Sequence, residues 1–192
     1  MYSYNYYFNS MNINELNNVL SKHHINTENW LHEKGTKTVE DLHREIDRGE
    51  TILESINGQL FRVVRLVSLQ VKIKLGEQFF TLVEDKQIFF AGGIRKRGLD
   101  TLAEKIMVNE TPELAVRRCL KEEIGLDFDG SFLFLGENEE IKSSPSYPLL
   151  NSIYKVYNYQ VVLSEKELEF IRFSEYQKGG QKITLFTLEP SS

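Results

Sequence analysis

The chain has 192 residues, a formal net charge of −5 and a single cysteine. That length suits one well-buried core with an appendage, the acidic balance argues against broad nucleic-acid binding through phosphate neutralisation, and one cysteine excludes an internal disulfide or a Cys-based zinc cluster. No apolar run approaches the roughly 18 residues that span a bilayer and no basic side chain precedes Lys22, so neither a membrane span nor an ordinary signal peptide is expected and the location is read as cytoplasmic.

Residues 1–10 are rich in Tyr and Asn without helical periodicity and read as a flexible leader, frayed or docked as an aromatic strap. A helical extension follows over residues 11–58. Asn12 with Glu15 forms a capping box for a helix through about His23, and Thr38 with Asp41 starts another that runs towards Gly49 and carries Val39, Leu42 and Ile46 on one face. Packing, a lid or a homodimer contact are the roles open to this extension. Its four histidines lack any HxH or HxxxH spacing, so they read as helix-surface polarity rather than as metal ligands. Trp30 and the Phe pairs at 79–80 and 89–90 have the ring faces to stack on a nucleobase, although aromatics in strands are more often core.

From Val67 to Leu75 apolar and polar residues alternate, which predicts a half-buried strand. Gly76-Glu77 suits a two-residue turn into a second strand over Gln78 to Glu84, followed by a short apolar run at Ile88-Phe89-Phe90. Residues 94–103 read as an insertion bearing Arg95, Lys96 and Arg97. After a helix at 112–124 come a short strand at 132–135, a polar loop from Gly136 to Pro148, a long strand over Ile153 to Leu163, and a helical turn over Glu165 to Phe170. A Gly179-Gly180 turn then leads into a last strand over Lys182 to Leu188.

The helix at 112–124 is written locally at both ends. Thr111 is a natural N-cap, Pro112 fits the first turn, and Gly125 can take the left-handed conformation that closes a helix. Val116, Leu120 and Ile124 form one apolar stripe, with Cys119, Glu122 and Glu123 in the neighbouring arc. Arg118 lies one turn before Glu122, where an i,i+4 pair holds that carboxylate. Two carboxylates on one rigid helix edge can begin a site for a hard divalent cation, and a solvated Lys-Glu-Glu face is the plainer alternative.

The whole stretch resembles the box of the Nudix hydrolases, G-x5-E-x7-R-E-U-x-E-E-x-G-U with U aliphatic. With Gly125 on the box glycine, Glu110, Arg118, Leu120, Glu122, Glu123 and Leu126 fall on matching positions, while Glu104 replaces the first glycine and Cys119 replaces the first glutamate of the R-E pair. The resemblance implies a Nudix-like α/β/α sandwich with a mixed sheet over residues 59–192. It also implies a hydrolase, dependent on Mg²⁺ or Mn²⁺, that cleaves the diphosphate bond of a nucleoside diphosphate linked to another moiety. Carried onto this chain, Glu122 and Glu123 are the expected ligands, Arg118 orients them, and Glu110 fixes the loop leading into the helix. Glu104 is a candidate compensating ligand, and Glu137, Glu139 and Glu140 are candidates for a water-activating base; Arg95 and Arg97 of the basic insertion are candidate phosphate clamps, with a solvated basic loop the equal alternative. A thiol at 119 is a poor ligand for Mg²⁺. The alternative is therefore a catalytically impaired Nudix-like nucleotide-binding or regulatory module, with Cys119 itself read as a small, half-buried filler beside Ala115.

Overall fold

A computed structural model describes residues 6–8, 11–176 and 181–191. The protein is of the α/β class, and its contacts divide it into two compact units. The first gathers residues 1–66, 105–111 and 137–156; the second gathers 67–104, 112–136 and 157–192. The first unit holds the two N-terminal helices together with strand segments on both sides of residue 58. No helix is long and apolar enough to cross a membrane among the described residues.

In the first unit, helices α1 (Ile13–Lys22) and α2 (Val39–Asp47) each begin with a complete capping box, from Asn12 with Glu15 and from Thr38 with Asp41. Both were legible because each pairs an N-cap oxygen with a carboxylate three residues on. Strand β1 (Tyr6–Phe8) pairs antiparallel with β2 (Ile52–Ile56), and β2 pairs with the start of β3 (Gln59–Leu75). Part of the leader is therefore strand, and its remaining residues lie outside the described ones. Asn57 and Gly58, both at positive φ, make the β2–β3 turn. The core unites Leu16 and Leu20 of α1, Leu42 and Ile46 of α2, Leu53, Leu60, Tyr147 and Leu150. Trp30 belongs to it as well. It is 2 % exposed, its ring lies 5.1 Å from Tyr147, and its indole N–H donates to the Pro148 carbonyl at 2.9 Å. A nucleobase cannot reach it.

That core contains a buried ion network centred on Glu45 of α2. Arg62 approaches one carboxylate oxygen at 2.6 Å, Lys37 the other at 2.5 Å, and the Tyr147 hydroxyl donates to it at 3.1 Å. Burial alone would raise the Glu45 pKa, but Arg62 and Lys37 outweigh it and hold the carboxyl down at about 2.

In the second unit, β3 continues with Val67, Leu69, Val71 and Ile73 buried in strict alternation. It turns at Gly76-Glu77 into β4 (Gln78–Phe89), so the apolar run at 88–90 continues one strand rather than starting another. The insertion is structured: it forms β5 (Ile94–Leu99), antiparallel to β4, and β6 (Leu102–Lys105), which pairs with β3. Helix α3 (Pro112–Ile124) buries Ala115, Val116, Cys119, Leu120 and Ile124. The polar loop expected at 136–148 is largely strand, because β7 (Leu133–Ser143) runs through it beside β8 (Asn151–Leu163); residues 137–143 and 151–156 of these strands belong to the first unit. After the short α4 (Glu165–Leu168), β9 (Ser174–Tyr176) and β10 (Lys182–Pro190) pair with each other, and β10 pairs with β4. The expected Gly179-Gly180 turn lies outside the described residues.

Removing Glu45 strands Arg62 in the core without its counter-charge. Glu45→Ala is expected to lower the unfolding free energy by about 3–5 kcal/mol in urea titrations. Because the folded pKa is depressed, the contribution of Glu45 is present above about pH 4.5 and lost as pH falls towards 2. Glu45→Gln should remove that acid-side loss, which urea midpoints collected between pH 2 and 6 would show.

Candidate functional site

The candidate site is built on α3 in the second unit. Its C-terminal end is held by Arg172, whose backbone N–H donates to the Ile124 carbonyl at 2.8 Å. The Arg172 guanidinium reaches the carbonyls of Lys121 and Glu122, each at 3.4 Å. These are orphan acceptors of the last turn, so Arg172 caps the helix. Gly125, at φ +76°, leaves room for that guanidinium, since a Cβ there would collide with it. Two residues after Arg172 the chain enters β9, so one short segment ties the helix bearing Glu122 and Glu123 to the strand bearing Glu175.

Arg118 lies between two acids, 3.4 Å from Glu104 and 3.8 Å from Glu122. The i,i+4 pair is present, and Glu104, on β6, shares its cation. Glu123 occupies a different environment. It is half-buried and shares a hydrogen bond with Glu175, with Glu104 and Glu84 close enough to act on it. Burial first, then the charge of Glu175 and of Glu104, pushes its pKa up to about 8. The metal-free protein thus keeps Glu123 protonated at neutral pH, bonded to a neighbouring carboxylate.

Glu84 and Glu175 carried no signal of function in the sequence, and backbone register explains how they come together. Glu175 stands opposite Thr184 of β10 and Thr184 stands opposite Gln87 of β4, so these three share one face of the sheet. A β-bulge at Asp85 then shifts the pairing, leaving Phe186 opposite Glu84. Without the extra residue Glu84 would point from the other face; with it, Glu84 joins Glu175. The one trace in the sequence is the way polar Glu84-Asp85-Lys86 interrupts an apolar strand that resumes at Ile88. Glu175, in a three-residue strand, left none.

The remaining expected residues are placed as follows. Arg97 lies 3.5 Å from Glu84, and Arg95, opposite Gln87, is exposed on β5. Glu110 lies in the first unit, where its carboxylate accepts the Met107 backbone N–H at 3.0 Å and ties the turn before α3. Glu137, Glu139 and Glu140 are exposed on β7, with Glu139 beside Lys155 at 3.6 Å and Glu140 beside Lys142 at 2.7 Å. Cys119 is fully buried rather than half-buried, and burial, then Glu123 and Glu104, pushes its thiol pKa up, so it is neither a thiolate nor a reactive group. Among the described residues no three His, Cys, Asp or Glu side chains converge on one point fit for a metal ion. The donor set around Glu123 is nonetheless all oxygen and multiply acidic, which is the chemistry a hard divalent cation takes.

Neither a family model nor a curated protein matches the chain. Solved structures similar to it in outline include the NUDIX domain of Shewanella oneidensis NrtR complexed with ADP ribose. That domain is 12% identical over 66% of this chain and 72% of its own, with a TM-score of 0.43. A Listeria monocytogenes protein described as a NUDIX hydrolase is 15% identical over 66% and 76%, with a TM-score of 0.40. A Caenorhabditis elegans Ap4A hydrolase in a binary complex is 11% identical over 66% and 78%, with a TM-score of 0.37. At such identities and scores, function has to be read from the residues of this chain.

Proposed function

We propose that the chain is a divalent-metal-dependent hydrolase that cleaves the diphosphate bond of a nucleoside diphosphate linked to another moiety. The observation that carries this reading is the gathering of Glu84, Glu104 and Glu175 around a half-buried Glu123. Arg118 and Arg97 offset Glu104 and Glu84, yet the balance at Glu123 still raises its pKa, so four carboxyl groups there are more than packing calls for. Mg²⁺ or Mn²⁺ is the counter-charge that such a set accepts, and Glu122, Glu123 and Glu104 are the residues that would hold it. When bound, the cation neutralises phosphate oxygens and lowers the pKa of an attacking water.

The chain's own groups do the rest. Arg118 keeps Glu104 and Glu122 oriented, Glu110 fixes the turn into α3, and Glu175 accepts the hydrogen bond of the proton that Glu123 must release to solvent before it can take a cation. Arg95 and Arg97 are the groups we assign to substrate phosphate, because guanidinium forks pair well with phosphate oxygens. The nucleoside half of the substrate rests on the resemblance of the box. A second reading, a nucleotide-binding or regulatory module with impaired chemistry, is favoured by one observation: a buried thiol occupies the next turn of α3, where the box has a carboxylate.

With Mg²⁺ or Mn²⁺, turnover is expected on at least one of ADP-ribose, dinucleotides, dinucleoside polyphosphates or coenzyme A. Glu123→Gln should reduce it at least 100-fold without loss of fold, and silence of the wild-type protein on the whole panel, with nucleotide-induced thermal stabilisation retained, would favour the second reading. In chelator, the raised pKa of Glu123 makes its stability contribution full below about pH 4.5 and lost as pH rises towards about 8. Thermal midpoints in EDTA should therefore carry a decline over that window, and Glu123→Gln should abolish that component. Cys119→Glu puts a charge where no solvent reaches, so it should cost several kcal/mol of stability in urea titrations rather than restore a ligand.

A further inference from the structure

Two strands stand out as edges. Strand β5 pairs only with β4, and β7 only with β8, among the described residues. Every residue of β5 is exposed, as is nearly every residue of β7. Exposed edges present unpaired backbone groups that invite another strand, and charge is the usual defence. The defences here have opposite signs: β5 carries Arg95, Lys96 and Arg97, and β7 carries Glu137, Glu139 and Glu140 against a single Lys142. Each edge is repelled by its own copy, and each suits the other.

We propose that β5 of one molecule pairs antiparallel with β7 of a second copy of this chain. One register satisfies both strands. Placing Lys96 opposite Glu139 puts Arg95 opposite Glu140 and Ile94 opposite Ile141, two isoleucines that are 66% and 58% exposed in the single chain. The same register answers a defect within the sheet. Lys96 stands directly opposite Lys86 on β4, a like-charge pair that destabilises a ladder, and Glu139 from the second copy joins that row. One row along, Tyr176, Ile183, Ile88 and Ile94 already face one another across four strands, and Ile141 extends this apolar stripe to a fifth. The ion pairs of Glu139 with Lys155 and Glu140 with Lys142 are exposed and exchange at little cost. Because the two edges differ, the contact runs head to tail, closing into a ring or extending with concentration.

The test is sedimentation equilibrium on the full chain, which needs no substrate and is independent of the hydrolase reading. Wild-type protein should rise above its 22.4 kDa monomer mass as concentration increases. Arg95→Glu/Lys96→Glu and Glu139→Lys/Glu140→Lys, each with an unchanged far-ultraviolet spectrum, should each associate at least tenfold more weakly. An equimolar mixture of the two should recover association in one-to-one stoichiometry, since the acidic β5 of the first variant meets the basic β7 of the second and the unaltered β7 of the first meets the unaltered β5 of the second. A wild-type monomer at every concentration, association untouched by either charge reversal, or no recovery on mixing would overturn the proposal.

Discussion

A carboxylate leaves water only where something replaces the water, either positive charge or a proton. Both solutions occur in this chain, and the contrast organises it. Glu45 is met by Arg62, Lys37 and Tyr147, so it stays ionised down to about pH 2 and welds helix to strand in the first unit. Glu123 is met by other acids and keeps its proton up to about pH 8. The first arrangement is complete within the folded chain. The second is held by a proton that Glu123 shares with Glu175.

The elements whose signals are local were legible. Both N-terminal helices announced themselves by capping boxes, the box helix by its terminal residues, and the β3–β4 hairpin by alternation broken at Gly76-Glu77. So was the Arg118–Glu122 pair, because four residues are one helical turn. Polar strands were harder to see. Strands β5 and β7 have no buried face to impose a period of two, so Arg95 to Arg97 and Glu137 to Lys142 looked like loops. Strand pairing was invisible for a different reason, since Glu84 and Glu175 meet through β10, almost a hundred residues after one and a few after the other.

Cys119 is where the box resemblance and the packing of the helix have to be read together. In the sequence it reads both as the box's absent carboxylate and as a small, half-buried filler; in the fold it is a fully buried core residue one turn from Glu123, and burial makes the thiol inert. Glu84 of β4, Glu104 of β6 and Glu175 of β9 act on Glu123 one turn further along the helix.

The bulge at Asp85 makes strand length a constraint in its own right. Between the turn at Gly76 and the bulge, β4 counts in twos; beyond it, the count is offset by one, and everything towards Phe89 is displayed accordingly. Loss of one residue in this stretch would exchange the two surfaces of the hairpin, turning its inner polar row outward and its apolar stripe inward. The side chains in this part of the protein can drift more freely than their number.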